Sequence, residues 1–240
     1  SELKDAALTT LKVQKIALEH NMTLKDASCY NIQYLKGKPI LIDITSFQRY
    51  DESLPWAPYE QFCKHFLAPL ALMAYKDVRL GQLLRIYNDG IPLELASRLL
   101  SFRNLSLNLH IHFHSFAQKS IKKEYKIKSS KFLLLSLLDN LEKTIERLYL
   151  KPKDGIWKNY YKDSSYSIRS QKSKIEIIEK YIEIANPNQV WDFGSNIGRY
   201  SRLCPNQIEI ISFDSDHSCV EINYKKVKQN NEKNILPLIL

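Results

Sequence analysis

Residues 189–198 read Gln-Val-Trp-Asp-Phe-Gly-Ser-Asn-Ile-Gly, and a second apolar run, Ile208-Glu-Ile-Ile-Ser-Phe, ends in Asp214-Ser-Asp216. This pairing restricts the fold more tightly than anything else in the chain. An apolar strand that stops at a glycine turn lets the backbone approach a ligand closely, and a second strand ending in an acid offers carboxylate oxygens to ribose hydroxyls. Asp192 and Asp214 lie 22 positions apart, the span of a strand, a turn, a helix and a return strand. From Ile175 onward the order reads helix (Ile175, Ile178, Ile182, Ala185), strand, glycine turn, helix, strand, acid, helix, strand, the last being Asn234-Ile-Leu-Pro-Leu-Ile-Leu240. Such alternation builds a parallel sheet with helices on its faces, and ligands bind outside the carboxyl ends of its strands. The C-terminal part is therefore expected to be α/β and to carry the front half of a nucleotide-type cofactor site.

The rest of the 240 residues, 44% hydrophobic over the whole chain, are patterned differently. Leu3, Ala6, Ala7, Leu11, Ile16 and Leu18 recur near helical spacing, with Asn21 as a terminator. Ile32-Gln-Tyr-Leu and Pro39-Ile-Leu-Ile flank a turn at Gly37 and predict a hairpin. After Pro55-Trp56 the chain is rich in Leu, Ala and Phe and predicts helices over 59–75, 79–87 and 93–100. Leu133, Leu134, Leu137, Leu138, Leu141 and Ile145 define an amphipathic helix from Lys131 to about Leu150, which Pro152-Lys-Asp-Gly155 ends. Two domains are expected: a mainly helical α+β domain over 1–152, and an incomplete α/β sheet over 153–240.

The formal net charge is +9, with a sequence pI near 9.2. The excess is concentrated, since Lys119, Lys122, Lys123, Lys126, Lys128 and Lys131 face only Glu124. A run of this kind suits nucleic acid or anionic lipid, but a solvated face is the simpler account, so a nucleic-acid partner is not favoured. Cys29, Cys63, Cys204 and Cys219 lack CxxC spacing, which argues against a zinc ribbon or a disulfide framework and for a reducing, cytoplasmic setting. The longest apolar stretches, 66–74 and 132–138, are too short to span a bilayer, so a soluble protein without a membrane partner is expected. The chain begins without Met and stops at an apolar strand, and it reads as a piece of a longer protein.

Asp192-Phe-Gly194-Ser-Asn196-Ile-Gly198 resembles the first motif of class I S-adenosylmethionine-dependent methyltransferases. The resemblance implies a Rossmann-like sheet, turn glycines passing under the methionine part of S-adenosylmethionine, and an acid, here Asp214, gripping its ribose. It assigns Asp192, Gly194, Asn196, Gly198 and Asp214 to cofactor binding. Asn196 stands where the commonest pattern has glycine, so the turn either holds a left-handed Asn or approaches the cofactor less closely. A nicotinamide site fits less well, because Gly-x-x-x-Gly lacks the spacing for a pyrophosphate at a helix start. Residues 157–172 with Tyr160, Tyr161, Tyr166 and Lys172, residues 214–216, Val220-Glu-Ile-Asn-Tyr224 and, upstream, Pro55-Trp56, Tyr59, Phe62 and Phe66-Leu-Ala-Pro-Leu are similar to nodulation-protein-like methyltransferases. That likeness adds Tyr166 and Lys172 at the cofactor edge. It places the acceptor half of the site beyond residue 240, so no catalytic residue for methyl transfer and no methyl acceptor is assigned, and residues 1–240 alone are expected to be inactive.

Two further patterns compete. Asp26, followed five residues later by Asn31, and Asp43 at the end of a strand after a hairpin have the order of a kinase catalytic base and its magnesium ligands. With the helical region after them they resemble the C-terminal lobe of aminoglycoside phosphotransferases, although Leu24-Lys25 and Ile44-Thr45 depart from the usual neighbours. A kinase-like phosphotransferase is the alternative enzyme; a chance arrangement in which Asp26 and Asn31 only shape turns is equally open, and a kinase-like fold would also be compatible with a degenerate, structural lobe. His110, His112 and His114 would line one face of a strand as metal ligands but diverge on a helix, and without nearby carboxylates or cysteines no metal is assigned. An interaction module using residues 119–131 is the non-catalytic alternative.

Overall fold

The computed structural model describes residues 1–100, 110, 130–149 and 167–240. It is a mixed α/β structure, with helices and small antiparallel sheets towards the N-terminus and a three-stranded parallel sheet towards the C-terminus. The chain divides into two compact units. One comprises Glu2–Gln33 and Pro39–Lys151, and the other comprises Pro152–Leu240 with Ser1 and Tyr34–Lys38.

In the N-terminal unit, α1 (Glu2–Glu19) buries Ala6, Ala7, Thr10, Leu11, Gln14, Ala17 and Leu18, the stripe expected of a helix facing a core. It ends at Glu19, and Asn21, two residues on, takes a left-handed φ of 55°. The buried Gln14 amide donates to Thr23 Oγ1 and its oxygen accepts from Leu24 N, so α1 fixes β1 (Met22–Leu24) by side-chain bonds. β2 (Ile32–Leu35) and β3 (Lys38–Leu41) form the expected hairpin, whose tip, Tyr34–Lys38, is counted with the other unit. β1 pairs antiparallel with β4 (Phe47–Arg49), a contact that encloses the hairpin in sequence.

The apolar region after Trp56 folds into α2 (Tyr59–Phe62), a π-turn over Cys63–Leu67 and α3 (Ala68–Tyr75). In an α-helix Ala68 N would donate to the Lys64 carbonyl; here it donates to Cys63, five residues back, and the Lys64 carbonyl accepts from Ile91 N at 3.0 Å. A 3₁₀ segment over Val78–Arg85 and α4 (Leu93–Leu99) follow. α5 (Lys131–Glu146) is capped by Ser130 Oγ and packs on α1 through Leu134, Leu138, Leu141 and Ile145. Phe62, Phe66, Leu67, Leu70 and Leu72, all fully buried, fill the core beside them.

In the C-terminal unit, α6 (Ile168–Ala185) leads through a left-handed Asn186 into β5 (Gln189–Phe193), which pairs parallel with β6 (Glu209–Asp214) and then β7 (Ile235–Ile239). α7 (His217–Gln229), capped by Asp216, covers one face, where Ile208, Ile210, Val227 and Ile235 are buried. On the other face Trp191 and Phe193 are exposed, and Phe193 stacks on Phe213 with ring centroids 5.1 Å apart.

The helix expected between Gly198 and the second strand is absent. The segment holds only turns and a 3₁₀ helix over Ser201–Leu203. Gly198 has a left-handed φ of 72°, so no right-handed helix runs through it, and the Arg202 guanidinium satisfies the carbonyls of Ile197 and Gly198. Pro205 has no N–H with which to extend the 3₁₀ turn.

Candidate cofactor site

β5 runs into a turn in which Gly194, Asn196 and Gly198 have φ of 75°, 51° and 72°. Three left-handed residues in five reverse the chain sharply, and they settle the alternative at Asn196, which adopts the left-handed form. Asn196 Oδ1 accepts from Ile197 N at 2.8 Å, the local bond that makes Asn a tolerable substitute for glycine there. The amides of Gly194 and Ser195 both donate to the carbonyl of Phe213 at 2.9 Å and tie the turn to the end of β6.

Asp214, the last residue of β6, is 8% exposed. Its Oδ2 accepts from Asn196 N at 2.7 Å and its Oδ1 from Asp216 N at 2.8 Å. Each carboxylate oxygen has two lone pairs, so one such bond apiece fixes the group and leaves acceptor capacity for ligand hydroxyls. Asp192 is steadied by Ser201, whose Oγ donates to its Oδ2 at 2.6 Å and lies 2.8 Å from Ser212 Oγ. Both serines are buried.

The two turn glycines have different surroundings. A Cβ at Gly194 would meet nothing within 4 Å, whereas one at Gly198 would fall 2.4 Å from both Arg202 Nη1 and Asn223 Oδ1. Gly194 faces open space and Gly198 faces packed protein. Beside Gly194 lies a cavity of about 620 Å³, within the range usual for small-molecule sites. β5, Asn196 and Asp214 line it, with Lys174, Ile178 and Ile182 of α6 opposite. Lys174 Nζ stands 4.4 Å from the centroid of the Tyr200 ring, another wall residue.

The structure thus brings Asp192, Gly194, Asn196 and Asp214 to one cavity, and Gly198 lies behind the turn. Lys172 is exposed on α6 and off the cavity wall, which carries Lys174 instead. Tyr166 lies outside the described residues, as do His112, His114 and all of the basic segment except Ser130 and Lys131. Ser201, Arg202 and Asn223 escaped sequence reasoning because no local pattern marks a residue that supports a turn through a side chain.

In the N-terminal unit, Asn31 and Asp43 meet at one hydroxyl. Asn31 Nδ2 donates to Ser46 Oγ at 3.3 Å, and Ser46 Oγ donates to Asp43 Oδ2 at 2.5 Å. Asp43 Oδ1 accepts from Thr45 N and Thr45 Oγ1, and Asp26 Oδ1 accepts from Ser28 N, so both acids shape turns. The hydroxyl and amide bonds of Ser46 and Thr45 hold the Asp43 carboxyl below its ordinary value. Among the described residues no group of three His, Cys, Asp or Glu is arranged to hold a metal ion. His110 is buried, with Nδ1 2.6 Å from Tyr59 Oη and Nε2 2.8 Å from Asn140 Oδ1. Both ring nitrogens already have protein partners.

His65, 2% exposed, has its Nδ1 3.3 Å from Cys29 Sγ. Burial holds its imidazole below the ordinary 6.5 and Lys64 adds to this, while Asp26 and Asp89 oppose it in part. The same burial pushes the Cys29 thiol up to about 11, so the pair is neutral. For a histidine depressed on folding, the stabilisation is complete above the unfolded value and is lost as pH falls below it. The urea midpoint of the N-terminal unit is expected to drop as pH falls from 6.5 towards the lower folded value, and His65→Gln should flatten that part of the profile. An unchanged slope in the variant would remove His65 as its source.

Comparison with curated proteins finds the nodulation protein NoeA of Rhizobium meliloti (strain 1021), 28% identical over 252 residues. The chain is its distant relative. The match covers 99% of this chain and 53% of NoeA, so the chain spans about half the length of that relative. No protein-family model matches, and no solved structure matches. No described helix is long and apolar enough to cross a membrane.

Proposed function

We propose that the C-terminal unit binds S-adenosylmethionine and that the protein is an S-adenosylmethionine-dependent methyltransferase, with residues 189–240 forming the cofactor half of its site. The observation that carries this reading is the open Gly194 turn beside an Asp214 carboxylate fixed by two backbone amides. The similarity to NoeA runs along the whole chain but names no chemistry, so the reading rests on geometry. When bound, S-adenosylmethionine supplies an electrophilic sulfonium methyl group. Asp214 would accept hydrogen bonds from its ribose hydroxyls, Gly194 keeps the wall free of a side chain, and Asp192 would present a carboxylate to its ammonium group. Their contribution is positioning, which supplies much of the rate in a methyl transfer. Calorimetry of the full-length protein with S-adenosylhomocysteine is expected to show saturable binding, and a flat titration would discard the reading.

A second reading concerns the N-terminal unit. The pairing of β1 with β4 around the hairpin accompanies a bond network in which Asn31 and Asp43 both meet Ser46. Thr45 places two donors on Asp43 Oδ1 and Ser46 places one on Oδ2, so most of the carboxylate's acceptor capacity is spent on its own turn. We infer a lobe of this descent retained for structure. The full-length protein is expected not to bind ATP with magnesium, and binding that Asp43→Ala abolishes would restore the phosphotransferase.

A further inference from the structure

Arg202 reaches three parts of the C-terminal unit at once. Its Nη1 donates to the carbonyls of Ile197 at 3.0 Å and Gly198 at 2.7 Å, and to Asn223 Oδ1 at 2.8 Å. Its Nε and Nη2 donate to the two carboxylate oxygens of Glu232 at 3.0 and 2.8 Å, a bidentate pair. Asn223 is fully buried on α7, and Glu232 precedes β7 by three residues. One guanidinium therefore joins the cofactor turn, the helix under it and the start of the third strand. The space for it exists because residue 198 is glycine.

Arg202 does not line the cavity. Its hydrogen bonds end on the backbone of the same turn whose opposite side presents Gly194 and Asn196 to the cavity. Asn196 N is in turn one of the two donors that orient Asp214. A shift at Ile197 and Gly198 would pass through Asn196 to the carboxylate. We propose that Arg202 is the positioning residue of the cofactor turn, holding Asn196 and Asp214 in the geometry that recognises the ribose of the cofactor. The inference rests on the S-adenosylmethionine reading of the site. A planar fork is required, since only guanidinium satisfies Glu232 in parallel while a terminal nitrogen faces the carbonyls; lysine carries the charge without the fork.

The test uses the full-length protein with Arg202→Lys and, as a second variant that leaves the arginine in place, Glu232→Gln. Two quantities are measured well below the unfolding temperature: the affinity for S-adenosylhomocysteine, and amide hydrogen exchange across residues 189–214. The expected result is at least about tenfold weaker binding by Arg202→Lys, a smaller loss in Glu232→Gln, and faster exchange confined to 194–198. A purely structural role would speed exchange through β5 and β6 alike and leave the affinity of the folded protein unchanged, and that result overturns the proposal. So does faster exchange in the turn with unaltered affinity. If the wild type does not bind S-adenosylhomocysteine, the cofactor reading falls separately. The exchange map then decides whether Arg202 holds the turn, and an unchanged map refutes it.

Discussion

Asp214→Ala is expected to weaken binding of S-adenosylhomocysteine by about 1–3 kcal/mol, roughly five- to 150-fold, and to destabilise the C-terminal unit by a similar amount. The two losses have different origins. Ribose hydroxyls lose a charged acceptor, which acts only when ligand is present. Asn196 N and Asp216 N lose theirs in a site 8% exposed, which costs stability with or without ligand. Asp214→Asn separates the two effects, because its single carbonyl oxygen retains one backbone donor while the negative charge is gone. Stability of the Asn variant should therefore lie between wild type and Ala, and its affinity should fall closer to that of Ala. Calorimetry and thermal unfolding on the same samples check both, and wild-type affinity in Asp214→Ala would remove Asp214 from the site.

What the sequence revealed about this unit follows from how far each constraint reaches along the chain. Gly194, Gly198 and Asp214 were legible because a left-handed turn and an acid ending an apolar run are local patterns. The stripe of α1 and the leucines of α5 were legible for the same reason, since helical burial repeats at three and four. β1 and β4 were not, because each has three residues and their pairing joins Met22 to Arg49 across the hairpin. The missing crossover helix was misjudged on spacing alone. Its length fits between the strands, but the left-handed Gly198 and the Arg202 bonds to the Ile197 and Gly198 carbonyls hold a turn there instead, and nothing around residue 202 in the sequence announces that arginine's role. α6 shows the converse, for its periodicity forecasts a helix correctly while Ile177, Tyr181 and Ile184 remain exposed. Periodicity specifies the helix, and what covers it is decided by tertiary contacts.

Gly198→Ala and Gly194→Ala, nearly the same change four residues apart, are expected to fail in different ways. Both residues have positive φ, so each substitution carries about 1–2 kcal/mol of backbone strain. At Gly198 the new methyl would also lie 2.4 Å from Arg202 Nη1 and from Asn223 Oδ1, far inside contact distance. Arg202 would have to leave the Ile197 and Gly198 carbonyls, adding about 1–3 kcal/mol for charged hydrogen bonds given up in a partly buried place. A total of roughly 2–5 kcal/mol should appear as a lower denaturation midpoint of the C-terminal unit. At Gly194 the methyl meets no protein atom, so stability should fall by the strain alone, about 1–2 kcal/mol. That methyl instead points into the space a ligand would fill. Gly194→Ala is therefore expected to weaken S-adenosylhomocysteine binding out of proportion to its effect on stability. Equal stability losses at the two positions would show that Arg202 does not pack against the turn as described, and full affinity in Gly194→Ala would place the ligand elsewhere.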